Sequence, residues 1–258
     1  MSPVDLTYDG PLAIITLNAP PLNLFDAALV DALRTAIDAV AASEQARGLL
    51  IRANGRAVSG GVDVNLFATL DTGSGAALWR DWLRMIQTVE SLPFPTVFAA
   101  HALCLTAAFE LSLGCDLLLA AESARFGLVE IVVGLTPSMG GPQRLAERAG
   151  PARARELIYT GELYDAATLE RWNVVNRVLP DEGFAEAAHA FAMRLASGPT
   201  RAHAATKQLI RTQLAGGTRA ADEATPQLSA PLFATEDLKN AVASFLENGP
   251  GKATYTGR

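Results

Sequence analysis

Residues 104–123 read "CLTAAFELSLGCDLLLAAES". The stretch is among the least polar in the chain, yet Glu110 stands in its middle. A buried ionised carboxylate is costly unless it is paired, hydrogen-bonded or shifted in pKa. The surrounding pattern sets the fold class. "TVFAA" before it reads as a strand, "TAAFELSL" as a short helix and "CDLLLAAE" as the next strand. Strands alternating with helices predict an α/β domain with parallel strands. The same puzzle returns at Glu130 in "FGLVEIVVGL".

Toward the N-terminus, "VDLTYDGPLAIITLN" predicts a hairpin turning at Asp9-Gly10. "FDAALVDALRTAIDAVAAS" predicts an amphipathic helix with Asp26 as N-cap and Leu29, Leu33, Ile37 and Val40 on one face. "GLLIRA" reads as a buried strand, "NGRAVSGGVDVNLF" as a glycine-rich loop, and Ala76 to Leu92 as a second helix. Toward the C-terminus, "SMGGPQRLAERAG" and "PARARELIYTG" read as helices and "NVVNRVLP" as a strand ended by Pro180. From about Asp181 the pattern is helical only. Thr235 caps the last helix and Asn248-Gly249-Pro250 stops it. The change of pattern predicts an α/β core over residues 1–190 and a helical C-terminal region over 191–258.

Composition narrows the classes. The 258 residues are 50% hydrophobic and 19% charged, with a formal net charge of −6. That is globular composition with ample core material. No Lys/Arg-rich run is present, so the basic footprint of a nucleic-acid binder is missing. Cys104 and Cys115 lie in apolar surroundings, outside any CxxC or Cys/His cluster, and read as reduced core thiols. "MSPVDLTYDG" carries no signal-peptide pattern, and the longest apolar run is too short to span a bilayer. The expectation is a cytoplasmic protein without a membrane partner.

Three stretches carry candidate chemistry. In "SGGVDV", Ser59–Val64, adjacent glycines allow a close backbone approach to a ligand, or simply make a loop. The stretch matches neither the P-loop nor the GxGxxG pattern. A helix beginning near Ala107 offers free N–H groups that suit an anion. Glu110 and Glu130 are each open to a plainer reading, a buried ion pair with Arg125, Arg144 or Arg148 or exposure at a helix end. Together, two carboxylates in apolar settings and backbone donors are the parts needed for acid/base work on a carbonyl compound.

Along nearly its whole length the chain resembles the enoyl-CoA hydratase/isomerase, or crotonase, superfamily. "RAVSGGVDV" is similar to the family's loop AFSAGADL. "PTVFAAHALCLTAAFELSLGCDL" is similar to PVIAAVNGxALGGGxELALACDI, and "ARFGLVEIVVGLTPSMGGPQRL" to AxFGxPEIxLGxxPGxGGTQRL. The resemblance implies a spiral of repeated β-β-α units, a C-terminal helical region engaged in oligomer contacts, and homotrimers or dimers of trimers. It places the backbone N–H groups of Val62 and Ala107 in an oxyanion hole and makes Glu110 and Glu130 the catalytic pair. It further puts Leu22, Arg56, Gly60, Gly61, Asp63, Val64 and Ser138 against the substrate, with Arg56 a candidate for the CoA phosphates.

The implied reaction is hydration of a trans-2-enoyl-CoA to a 3-hydroxyacyl-CoA, or its reverse, as in fatty acid metabolism. No metal or redox cofactor is implied, because coenzyme A is part of the substrate. The alternatives are double-bond isomerisation through Glu130 and a catalytically silent acyl-CoA-binding subunit. The sequence departs from the family at several points. Thr106-Ala107-Ala108 replaces three glycines, His101-Ala102 replaces Asn-Gly, and Val129 and Ser138 replace a common proline and glycine. Alanine keeps its N–H but takes a positive φ less cheaply than glycine. His101 reads as a packed core histidine or a group behind the site.

Overall fold

The computed structural model describes residues 2–258. Its first half follows the hydrophobic pattern closely. Strands β1 (Val4–Asp9) and β2 (Leu12–Leu17) form the expected antiparallel hairpin. Helix α1 (Ala27–Ala41) starts at Asp26, whose carboxylate accepts the Leu29 N–H, and buries Leu29, Leu33, Ile37 and Val40. Strand β3 (Gly48–Ala53) then adds to β2 in parallel. Helix α2 (Thr72–Ser91) begins four residues before the expected Ala76. Asp71 and Ser74 close a capping box there, which outweighs the helix-breaking look of "TGSG".

Strand β4 (Thr96–Ala100) leads through a two-residue strand β5 (Cys104–Leu105) into α3 (Thr106–Gly114), and β6 (Leu117–Ala121) follows. After β7 (Arg125–Gly127) comes a 3-10 turn, Glu130–Val133, then helices α4 (Gly141–Ala149) and α5 (Pro151–Thr160). The short β8 (Tyr164–Asp165) and α6 (Ala166–Arg171) precede β9 (Arg177–Leu179). The main sheet has the order β1-β2-β3-β4-β6-β9, parallel after the hairpin. A second, three-stranded sheet has the order β5-β7-β8. The β-β-α units followed by C-terminal helices match the fold that the family resemblance implies.

Two further expected elements shift, and three short strands are added. The helix expected from Ser138 starts at Gly141, leaving residues 138–140 as a turn. The strand expected over 173–180 shrinks to Arg177–Leu179, because Asn173 takes a left-handed φ of 62° and Asn176 uses its side chain to accept the Leu118 N–H. The strands β5, β7 and β8 were not anticipated, being too short to show a period.

The C-terminal part consists of α7 (Phe184–Ala196), α8 (Thr200–Ser229, broken at Gly217) and α9 (Glu236–Asn248). The expected division at 190/191 falls inside α7, whose Phe184, Ala188, Ala192 and Ala196 are buried, and α7 packs on β2, β3 and β4. No helix among the described residues is long and apolar enough to cross a membrane.

Candidate active site

The site is assembled by the second sheet. Pairing of β5 with β7 sets Cys104 beside Phe126 and Leu105 beside Gly127. The start of α3 and the turn carrying Glu130 are thereby brought together, and the rings of Phe109 and Phe126 pack at a tilt of 52° with centroids 5.2 Å apart. The glycine-rich loop joins from the other side, where Ser59 bridges Cys104 and the Leu105 N–H donates to Ser59 O.

Asn23 fixes that loop. Its side-chain amide donates to the carbonyls of Asn54, Ala57 and Val58, and its own carbonyl accepts the Ser59 hydroxyl. It is buried and left-handed, at φ 48°. Its role had not been inferred from "PPLNL". The only signal there was a turn-forming Asn after two prolines.

Val62 forms a parallel bridge with Phe25. The Phe25 N–H donates to Gly61 O and the Asp63 N–H to Phe25 O, while the Val62 N–H between them has no acceptor among the described residues. Ala107 sits in the first turn of α3, where N–H groups lack intrahelical partners, and no side chain caps this helix. Its N–H is likewise without an acceptor among the described residues. The residues preceding the two donors touch: a Cβ on Gly61 would lie 2.8 Å from Thr106 Oγ1. With that contact and a φ of +105°, position 61 admits only glycine. Thr106 itself is left-handed at φ 46°, rare for a β-branched residue.

Glu110 is 2% exposed and forms no ion pair among the described residues. Its Oε1 accepts the N–H groups of Met139 (2.9 Å) and Gly141 (2.8 Å), at the N-terminus of α4. The shortened start of α4 leaves residues 138–140 as the turn that presents these donors to Glu110. Burial is the main cause that pushes the carboxyl up from the ordinary 4.5 to about 8; Glu130 nearby adds to it, and the two N–H bonds oppose it. Burial also raises Glu130, to about 7, and its Oε2 is buried without a hydrogen-bond partner.

The arginines that offered a plainer account are engaged elsewhere. Arg144 forks onto Glu90 at 2.6 and 2.7 Å. Arg148 donates to the carbonyls of Leu113, Cys115 and Val174, and Arg125 to that of Ala124. Neither carboxyl group forms an ion pair among the described residues, and the charge of Arg144 is the least of the influences that lower Glu110. Two raised carboxyl groups, one held by two N–H groups, can share a proton and exchange it with a bound molecule.

The remaining expected residues are placed as follows. Gly60 donates its N–H to Leu22 O and packs against the Leu22 side chain, so these two meet at the loop. The Asp63 carboxylate is spent on capping the 3-10 turn Val64–Phe67. Val64 is exposed, and so is Arg56, which forms no ion pair among the described residues. Ser138 hydrogen-bonds Thr136 O beside Met139. His101 is neither a core residue nor part of the pair; half-buried, it bonds Gly55 O at 2.9 Å. A hollow of about 380 Å³ is lined by Phe67, Leu70 and Trp79, the first of them four residues after Asp63, and by Leu135, five residues after Glu130. A larger groove of about 830 Å³, between α3, α4 and α8, contains neither glutamate.

Comparison with known proteins agrees in outline. The family model for enoyl-CoA hydratase/isomerase matches residues 8–257. A probable enoyl-CoA hydratase of Rhizobium meliloti is 33% identical over 238 residues, covering 92% of each chain. The 2,3-dehydroadipyl-CoA hydratase of Escherichia coli is 30% identical over 250 residues, 96% of each. Among solved structures, an enoyl-CoA hydratase subunit from Geobacillus kaustophilus superposes with a TM-score of 0.91 at 30% identity, covering 99% of this chain and 98% of that one.

Proposed function

This chain belongs to the enoyl-CoA hydratase/isomerase family, and on that premise we propose that it adds water across the C2–C3 double bond of a trans-2-enoyl-CoA, or removes it in reverse. The observation that carries the reading is the pair itself. Glu110 and Glu130 are both raised into the neutral range, Glu110 influenced by Glu130 and neither offset by an ion pair. An isomerase acting through Glu130 alone has no use for a second buried carboxyl group held ready by two N–H groups.

The geometry supports the following sequence. The thioester oxygen accepts from the N–H groups of Val62 and Ala107, which draws electron density from the conjugated double bond. Between its two titrations the glutamate pair holds one proton. A water between the carboxyl groups gives a proton to the ionised one as its oxygen bonds to C3. The protonated one delivers its proton to C2 as the enolate collapses. The pair is left with one proton, exchanged between its members, and the oxyanion donors are free again. No residue changes oxidation state and no metal is required by these steps.

Substrate placement follows from the same layout. The acyl tail enters the apolar hollow at Phe67, Leu70, Trp79 and Leu135. Leu22 and Gly60 border the CoA arm, and exposed Arg56 supplies positive charge to its phosphates. The C-terminal helices display large apolar side chains, Phe233 at 75% and Leu246 at 80% exposure, which supports assembly into homotrimers or dimers of trimers. Light scattering reporting a monomer at micromolar concentration removes that assembly.

The test of function is loss of the enoyl absorbance of crotonyl-CoA with appearance of 3-hydroxybutyryl-CoA. Formation of a shifted double bond without water uptake contradicts hydration and promotes the isomerase reading. Binding without turnover of any enoyl-CoA promotes the silent-subunit reading.

A further inference from the structure

Thr106 combines two features that seldom persist without a use. It is a β-branched residue in the left-handed region, at φ 46°. It is also 7% exposed, with its hydroxyl Oγ1 buried and lacking any hydrogen-bond partner among the described residues. Glycine at this position removes both costs, since it takes a positive φ freely and carries no hydroxyl. Strain and unmet polar groups held together in one residue mark sites where a ligand completes the structure.

The location says which ligand atom. Thr106 is the first residue of α3, directly before the Ala107 N–H. Its Oγ1 stands over Gly61, directly before the Val62 N–H. The hydroxyl thus belongs to the residue before one unpartnered backbone donor and packs against the residue before the other, at the uncapped end of the helix. Glu110 stands one turn further along α3, away from the two backbone donors in the chain.

We propose that the Thr106 hydroxyl is a third hydrogen-bond donor to the thioester oxygen of the bound acyl-CoA, beside the N–H groups of Val62 and Ala107. The proposal rests on the acyl-CoA reading of the site but not on which reaction follows. A hydroxyl can turn its proton toward the oxygen as charge grows there, whereas the backbone donors are fixed. Its left-handed backbone is what sets the side chain against Gly61 instead of along the helix. The unpartnered Oγ1 is then satisfied in the complex.

The experiment compares binding of butyryl-CoA, an unreactive thioester, with S-butyl-CoA, a thioether of the same tail without the carbonyl oxygen. Both are titrated by calorimetry into wild type, Thr106→Val, Thr106→Ala and Thr106→Ser, each first checked for a wild-type circular dichroism spectrum. The expected result is a loss of about tenfold in butyryl-CoA affinity for Thr106→Val and Thr106→Ala, with S-butyl-CoA within twofold of wild type. Thr106→Ser, which keeps the hydroxyl, restores most of the thioester affinity. Equal losses for both ligands mean that the side chain acts only through shape and overturn the proposal. So does an unchanged thioester preference in Thr106→Val or Thr106→Ala. If wild type itself shows no preference for the thioester, the oxyanion assignment to Val62 and Ala107 fails instead. Absence of hydration with the preference intact removes the proposed reaction and leaves Thr106 in place.

Discussion

The main sheet and the layer above it are built on opposite terms. In β2, β3 and β4, apolar side chains are buried on both faces and the parallel ladders satisfy the backbone. Helix α1 has its cap and buries a single apolar stripe. In the layer from Thr106 to Gly141, the opposite holds. Helix α3 is uncapped, Thr106 is left-handed, Glu110 is buried, and Glu130 Oε2 has no partner. Local rules are obeyed where the chain has only to fold and broken where it has to act on something. Substitutions in the two regions should therefore separate stability from chemistry.

The largest effect is expected in the upper layer. Glu130→Gln should lower enoyl-CoA turnover by about two to four orders of magnitude. Its melting temperature at neutral pH should equal or exceed that of wild type, because the buried, raised carboxyl group is removed. The mirror-image result belongs to the sheet. Phe98→Ala, at a fully buried position of β4, should cost about 3–5 kcal/mol in urea unfolding. Turnover per folded molecule should stay within a few-fold of wild type. A loss of turnover on the scale of Glu130→Gln in folded Phe98→Ala breaks the comparison.

Val62→Pro comes next. The missing N–H stabilises nothing in the free protein, so folding should survive. Turnover should fall by about 10²–10³, or about 2.7–4 kcal/mol. Wild-type turnover in folded Val62→Pro contradicts the oxyanion assignment. Gly141→Ala is subtler. The new Cβ would lie 2.9 Å from Glu110 Oε1 and must displace the carboxyl group. A displacement of this size is expected to reduce kcat by up to about 10²-fold with little change in KM.

A last comparison concerns stability against pH. In the folded chain Glu110 and Glu130 titrate near 8 and 7, against an ordinary 4.5. Between about 4.5 and 8 the folded state holds protons that the unfolded state has released, so stability should decline as pH rises through that window. Urea midpoints measured across it should flatten in Glu110→Gln and in Glu130→Gln. Over the same range kcat should peak between the two titrations, where the pair holds one proton.

How much was legible in the sequence divides along the same line. The hairpin could be read from its turn and alternation, α1 from its helical period, and β3 and β4 from short continuous apolar runs. The α/β class followed from their alternation. Glu110 and Glu130 stood out by chemical contrast with apolar surroundings, and motif resemblance joined them to Val62 and Ala107. What joins them physically is β5 pairing with β7, two residues against three, and no periodicity can exist at that length. The donors to Glu110 are backbone groups of Met139 and Gly141, invisible to any reading of side chains. The tie made by Asn23 spans more than thirty residues. The unmet hydroxyl of Thr106 appears in the sequence only as a substitution for glycine, and its left-handed φ had to be seen.

The central claim is that Glu110 and Glu130 act as one unit on one water. It is tested most directly by turnover of crotonyl-CoA in Glu110→Gln, Glu130→Gln and the double variant, each with a wild-type circular dichroism spectrum. Each single substitution should lose about two to four orders of magnitude, and the double variant should fall little below the worse single, far short of the product of the two losses. Near-normal hydration by Glu110→Gln, or losses that multiply in the double variant, would contradict a shared water and a shared proton.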